Sequence, residues 1–539
     1  MIARLLNTKS DSLTKATVII AVFSLLAKFS GLIRDAVFSN RFGTSVLIDA
    51  YFAAFRIPDF IFNLLFLGTV SVAFIPVFSD YLFKDRDRAF RIASGIANST
   101  IFGVIGISLF ALLFIDPLVR VIAPGFTGEA YELTRSFTKI LLFSPLFLSL
   151  SSITSSILHT YKKFAVVAAA PLVYNLSIIF GVLVLYPIMG PIGLPIGVVI
   201  GALLHFLIQL PQVFFMGFRY SLVLALRDSG FIQFWKLYWP RIFSMGTSQV
   251  TLLVATIFGS FLGTGSLSVF YYANNLQAVF LSIFAISAAI AVFPTLSEYF
   301  NQRDDQKFKD VLARTTIQIL YFIIPLSVLM LILRAQIVRL VLGIGENTSF
   351  TFADTRVVSL TLGLFVVSLF AQALAPLFTR AFYARHNTAI PVIIGLIVIV
   401  VNVFATYFFV RRFGIPGMAI AFSLTSIIHL VMLVMELHKK IGHIHDEYLI
   451  INSLKIVIGS ALSAAGAYVS LYLIAPLVNM QTYVGVFTQA AGASLVGLVI
   501  YLGITWFSGL AETHGLVNLL KSMLIKFSRN INSAWYTRE

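Results

Sequence analysis

Six charged residues cluster near the start of the sequence: Lys28, Arg34, Asp35, Asp49, Arg56 and Asp59. They stand in or beside long apolar runs. A charge at the centre of a bilayer costs about 3 kcal/mol even on the lenient insertion scale, so it is kept only where it meets a partner or a wet cavity. Lys28, Arg34 and Arg56 read as the basic lining of such a cavity. An arginine fork matches two phosphate oxygens, and a lysine adds a point charge. Asp35 and Asp59 read at least as well as internal counter-ions as they do as ligand contacts, and Asp49 is a further candidate for pairing with a neighbouring base. Lys28 and Arg34 are six residues apart, which separates them around a straight helix. Gly31 between them would let the helix bend and bring both into one cavity. The chemistry this set offers is capture of an anionic head group.

Bond-making chemistry finds no support. The sequence has no P-loop, dinucleotide fingerprint, HExxH or nucleophile elbow, and no cysteine. His438, His443 and His445 stand beside Asp446 and Glu447 and read as a solvated polar loop rather than a metal site. No metal and no cofactor are expected, and a coupling ion is left undefined.

The elements that must hold these residues are membrane helices. Of 539 residues 59% are hydrophobic and only 11% charged, with a mean hydropathy of +0.95; soluble domains run nearer a quarter charged. Apolar runs broken by charge, Pro and Gly predict fourteen helices. The second (47–80) and eighth (266–298) are too long for one straight crossing and should tilt, kink or protrude. The net charge of +16 is a topology signal before it is a nucleic-acid signal, so no nucleic-acid partner is expected. With the N-terminus inside, 26 basic residues fall on cytoplasmic segments, 9 on outer ones and 3 (Lys28, Arg56 and Lys139) within spans. That asymmetry predicts both termini in the cytoplasm. The basic start and first apolar run lack a convincing small-residue cleavage site and read as an uncleaved first helix.

The chain also repeats itself. Residues 158–205 align with 382–429 at a constant offset of 224, placing Gly190 and Gly193 on Gly414 and Gly417, and His205 on His429. Upstream, Pro76, Ser79, Asp80 and Tyr81 fall on Pro294, Ser297, Glu298 and Tyr299. The expected architecture is all-α and polytopic: two six-helix lobes of like orientation, with a cleft between them suited to alternating access, plus a C-terminal helix pair. The boundaries expected are 1–218 for the first lobe, 219–239 for an interfacial cytoplasmic linker, 240–440 for the second lobe, 441–510 for the extra pair and 511–539 for a cytoplasmic tail.

The motifs around the charged cluster resemble the MurJ/MviN lipid II flippases of the multidrug/oligosaccharidyl-lipid/polysaccharide exporter superfamily. The resemblance is carried by Gly31-Leu-Ile-Arg34-Asp35-Ala36, Phe42-Gly43, Asp49-Ala50-Tyr51-Phe52, Phe55-Arg56-Ile57-Pro58 and Ala73-Phe74-Ile75-Pro76. It continues through Ala123-Pro124-Gly125-Phe126, the run Leu158 to Phe164, Gly265-Ser266, Tyr271-Tyr272-Ala273 and Phe382-Tyr383-Ala384-Arg385. It spans about residues 16–440. It implies movement of undecaprenyl-pyrophosphate-linked peptidoglycan precursor from the inner to the outer leaflet of the bacterial cytoplasmic membrane. Lys28, Arg34 and Arg56 would match basic positions that hold the pyrophosphate, and Asp35 and Asp49 family carboxylates. Phe62 and Asn63 stand where the family has a basic pair, Leu67 where it has an acid, and Asn274-Asn275 where it has Asp-Arg. Asn402 is followed by Thr406 where some members place an acid for sodium.

The leading expectation is therefore a lipid II flippase, not an enzyme. Its partners would be the lipid-linked glycan precursor and membrane lipids, with peptidoglycan synthesis enzymes implied only through the family. Alternatives are a paralogue moving another polyprenyl-linked glycan, a cation-coupled multidrug exporter, or an envelope scaffold without transport. The exporter would want an acidic cavity, and this one is basic.

Overall fold

The structure, a computed structural model, describes residues 13–65, 69–242, 247–343 and 348–518. Leu67, most of the expected 511–539 tail and several basic residues of the topology count (Arg4, Lys9, Lys521, Lys526, Arg529 and Arg538) lie outside the described residues. All regular secondary structure among the described residues is helical.

Nine stretches among the described residues are long and apolar enough to cross a membrane, or ten if Phe352–Val366 and Leu369–Ala384, bent by 43°, form one broken span. The fourteen expected spans are not all separate long helices. The stretch Phe164–Phe215 holds 52 residues, more than two crossings require. The expected 47–80 span is built from pieces: α2 (Val46–Ala54), α3 (Arg56–Leu65) and α4 (Thr69–Lys84). Before them runs α1 (Leu13–Phe42), unbroken through Gly31. The long eighth span is interrupted too, with a π-turn over Ser282–Ile286 between α8 (Ser266–Leu281) and α9 (Ser287–Asn301).

The repeat shows in the backbone. Lys162 and His386, 224 positions apart, both take left-handed φ values of 57° and 56°, and Gly190 and Gly414 do so at 66° and 62°. Two 28-residue helices, α5 (Arg86–Leu113) and α10 (Asp305–Ile332), start on the same device, Asp85 accepting from Arg88 N–H and Asp304 from Lys307 N–H. A carboxylate there satisfies an orphan amide and faces the positive end of the helix dipole. A Cβ on Gly193 would lie 2.5 Å from the carbonyl carbon of Leu185, and one on Gly417 would lie 2.5 Å from that of Phe409, again 224 apart. Gly417→Ala should therefore destabilise the protein by about 1–3 kcal/mol, because backbone cannot yield as a side-chain tip can. Thermal unfolding of the detergent-purified variant checks this, and a melt matching the parent would refute it.

The contacts divide the chain into two units. One comprises Met1–Leu276, Val341–Thr361 and Gly395–Phe422. Its core is aromatic, with Phe74, Phe78, Phe90 and Phe234 buried together. The amphipathic helix Ser229–Ile242 inserts Phe231, Phe234 and Tyr238 into this core and leaves Trp239 exposed. It is fastened by Arg88, whose Nε donates to Asp228 at 2.9 Å. Burial raises the Asp228 pKa, but the hydrogen bonds from Arg88 and the Gly230 N–H outweigh this and hold the carboxyl below its ordinary value.

The other unit comprises Gln277–Leu340, Leu362–Ile394 and Ser423–Glu539. There the C-terminal pair, Asp446–Ile474 and Tyr483–Phe507, packs with α10. Tyr501 Oη donates to the Tyr321 carbonyl at 2.7 Å, and Thr513 Oγ1 to Tyr321 Oη at 2.9 Å. Gly466 and Gly492 clear room for Ile500 and Ile474, as small residues commonly do where membrane helices meet.

Candidate substrate-binding site

The charged cluster lies in the first unit, and its centre is Arg34. On α1 the guanidinium donates to Asp35 Oδ1 through Nη2 at 2.7 Å and Nε at 3.0 Å. Its Nη1 donates to Asn175 Oδ1 at 3.2 Å. The amide of Asn175, on the neighbouring helix Phe164–Phe180, turns back to donate to Ser30 Oγ at 3.0 Å and the Ala27 carbonyl at 3.1 Å. The second Asp35 oxygen accepts from Asn275 Nδ2 on α8 at 3.0 Å. Three helices are thus joined by one polar network, as interior charge demands. The Arg34 side chain keeps 25% of its surface exposed while Asp35 keeps 8%. Three of its five guanidinium N–H donors are committed to Asp35 and Asn175, which leaves two for a ligand.

Arg56 opens α3 and is nearly enclosed. Its Nη2 lies 3.4 Å from Asp59 Oδ2, its Nε donates to the Phe52 carbonyl at 3.3 Å, and its guanidinium sits 4.9 Å above the Tyr271 ring. Tyr271 in turn stacks on Phe52 at 4.9 Å. An aromatic face supports a guanidinium where water is scarce.

Lys28 is exposed on α1 and has no hydrogen-bond or ion-pair partner among the described residues. Because α1 does not break at Gly31, Lys28 and Arg34 leave it in directions about 120° apart. A Cβ at Gly31 would lie 3.8 Å from Asn175 Nδ2, an ordinary contact distance, so the position has room for a side chain.

Asp49 is placed differently. It is 3% exposed, and both oxygens are committed to the start of α8. Oδ2 accepts from Gly265 N–H at 2.6 Å, and Oδ1 from Ser268 N–H at 2.8 Å and Ser268 Oγ at 2.5 Å. Gly265 sits at φ +87°, where a Cβ would meet the Thr44 carbonyl oxygen at 2.7 Å. Asp49 thus serves as a helix cap supplied from another part of the chain. A second tie lies nearby: Asp354 accepts from Thr44 Oγ1, Thr351 N–H and Thr351 Oγ1. Sequence reasoning missed Ser268, Thr44 and Asp354. The one signal available was Gly265-Ser266 ahead of an apolar run, a helix start with amides to satisfy.

Several of the positions that depart from the family pattern are placed as well. Phe62 packs against the aromatic core of this unit, and Asn275 serves Asp35 as described. Asn402 and Thr406 are both buried.

The family described as "Lipid II flippase MurJ" matches residues 38–488. The chain belongs to that family. A relative named "Probable lipid II flippase MurJ", from Vibrio cholerae serotype O1, is 28% identical over 505 residues, covering 91% of this chain and 94% of its own length. The solved structure "Lipid II flippase MurJ, inward closed conformation" superposes with a TM-score of 0.75 at 26% identity, covering 91% of this chain and 98% of that one. An inward-facing multidrug resistance MATE family transporter shares the fold alone, with a TM-score of 0.64 at 16% identity over 79% of this chain and 99% of its own. MurJ family members are named as flippases, which are transporters and not enzymes. This MurJ-family chain is accordingly a multi-pass helical membrane protein. Its motif residues are the ones the structure brings together: Asp49 with Gly265, Phe52 with Tyr271, and Gly125, whose N–H donates to Ser260 Oγ at 3.0 Å.

Proposed function

We propose that the chain moves undecaprenyl-pyrophosphate-linked peptidoglycan precursor from the inner to the outer leaflet by alternating access. Both termini would be cytoplasmic and the two repeat halves would act as the rocking lobes. Arg34 is the primary diphosphate ligand: on this reading it exchanges its two-donor contact with Asp35 Oδ1 for phosphate oxygens. Lys28, with no counter-ion among the described residues, supplies long-range attraction, and Arg56 a second cation held in place by Asp59 and Tyr271. Asp35 acts as the resident counter-ion and Asp49 as an architectural cap rather than a ligand. Family membership over residues 38–488 together with the part-exposed side chain of Arg34 carries this reading. Membrane potential or an ion gradient would drive the cycle, since no nucleotide motif is present. Contacts with peptidoglycan synthesis enzymes belong to the same proposal.

A second reading is favoured by one observation, the amide at position 275. Asn275 in place of a cavity arginine suits a paralogue that carries a less charged polyprenyl-linked glycan. Expressing the chain in a bacterium conditionally depleted of its own lipid II flippase separates the two. Restored growth supports lipid II. Failure to restore growth at normal membrane levels would set the first reading aside for the second.

A further inference from the structure

Away from this network, the turn between the helices Ile415–Ile441 and Asp446–Ile474 gathers metal-capable side chains. His438, His443 and Asp446 each offer one ligand atom, all within 4.8 Å of one another. His438 Nε2 stands 3.0 Å from Asp446 Oδ1, and His443 Nδ1 2.5 Å from Asp446 Oδ2. The turn holds them there. Gly442 and His445 take left-handed φ values of 74° and 51°, and the Ile444 N–H donates to Asp446 Oδ1 at 3.2 Å. His445 faces away, with Nε2 2.5 Å from Asp310 Oδ1 on α10.

His438 adds a chemical observation. Its Nδ1 lies 3.0 Å from the Val434 carbonyl oxygen, while its Nε2 faces a carboxylate oxygen. Both neighbours only accept, and a neutral imidazole carries one N–H. If Nδ1 donates to Val434, Nε2 turns a lone pair toward the carboxylate, a repulsive contact unless a proton or a metal cation lies between. A ring N–H held by a backbone carbonyl is also the outer contact that orients metal-binding histidines. Lys309 comes near Gly442 but makes no ion pair with Asp446 among the described residues.

We propose that His438 Nε2, His443 Nδ1 and the Asp446 carboxylate bind one divalent transition-metal ion, zinc by preference, that clamps this turn. Zinc takes imidazole nitrogen and carboxylate oxygen at about 2.0–2.2 Å, which sets tetrahedral ligand atoms about 3.3 Å apart. The separations of 3.0 and 2.5 Å need to open by less than about 1 Å to match. His443 is 89% exposed and free to make that adjustment, and water completes the fourth position. The ion would fasten the start of the C-terminal helix pair to the helix before it.

The test is calorimetric titration of zinc chloride into the full chain, purified in detergent without a histidine tag and stripped with chelator. One zinc per chain should bind, His443→Ala should weaken it at least about tenfold, and His445→Ala should leave it unchanged. Melting without zinc should match the parent in His443→Ala, with zinc raising the parent's melting temperature only. His443→Gln repeats the measurement should the alanine variant fold poorly. No saturable binding, binding indifferent to His443, or equal loss in His445→Ala would overturn the proposal. A His438 that instead carries both ring protons would show itself as the first of these.

Discussion

A bacterium depleted of its lipid II flippase and sustained by this chain should stop growing when Arg34 is replaced by alanine. The change removes the two donors that hold Asp35 and the one that holds Asn175, and with them the fork proposed to grip phosphate. Hydrogen bonds involving a charged group contribute about 1.5–3 kcal/mol each, and about 1.4 kcal/mol is tenfold in rate. Loss of two ligand contacts therefore predicts transport slower by a factor of at least about one hundred. Asp35 also stays buried with only Asn275 as partner, so membrane level and melting temperature must be measured beside growth. Arg34→Lys separates the roles, because it keeps the charge and loses the fork; partial rescue is expected. Normal growth of the alanine variant would remove Arg34 from the site.

Asp49→Ala should give the largest loss of stability, about 3–5 kcal/mol. Three donors converge on this carboxylate, two of them amides at a helix start with no intrahelical partner. Truncation leaves them buried and unsatisfied, which costs about 1–3 kcal/mol for each group. Asp49→Asn retains one acceptor oxygen and should fall between. Thermal unfolding in detergent and protease susceptibility measure the effect. An alanine variant that melts with the parent would mean water replaces the carboxylate. The two substitutions predict opposite signatures, Arg34→Ala failing mainly in transport and Asp49→Ala mainly in folding.

Membrane class, helical content and repeat were legible because each rests on a pattern many residues long. The offset of 224 was visible in Gly190/Gly414 and reappears as matched left-handed corners. The charged residues of the site were legible for a different reason: in an apolar sequence an interior charge stands out singly. Their partners were not. Nothing local to Asp49 announces Ser268, and nothing near Asp35 announces Asn275, because these pairings are set by which helices pack together. Polar side chains without charge carry too weak a signal to be picked out among many serines and asparagines. Gly31 was read as a bend, but the helix runs unbroken through it, and a lone glycine in an apolar run does not by itself decide between the two. The histidine turn read as a solvated loop, and spacing alone does not reveal two acceptors flanking one of its rings.

The amide of Asn275 has an electrical consequence. Where the family pattern resembled here places an arginine, this chain keeps a hydrogen bond to Asp35 at 3.0 Å and drops one elementary charge. On the proposed reading that group travels with the substrate across the transmembrane field. Moving one charge through 100 mV is worth about 2.3 kcal/mol. A carrier with one cation fewer therefore translocates a diphosphate with one more unit of uncompensated negative charge. The potential, negative inside, then does correspondingly more work in pushing the loaded form outward. In the proposed cycle the loaded step then depends more on voltage and the empty return step correspondingly less, because Asn275 returns with the carrier.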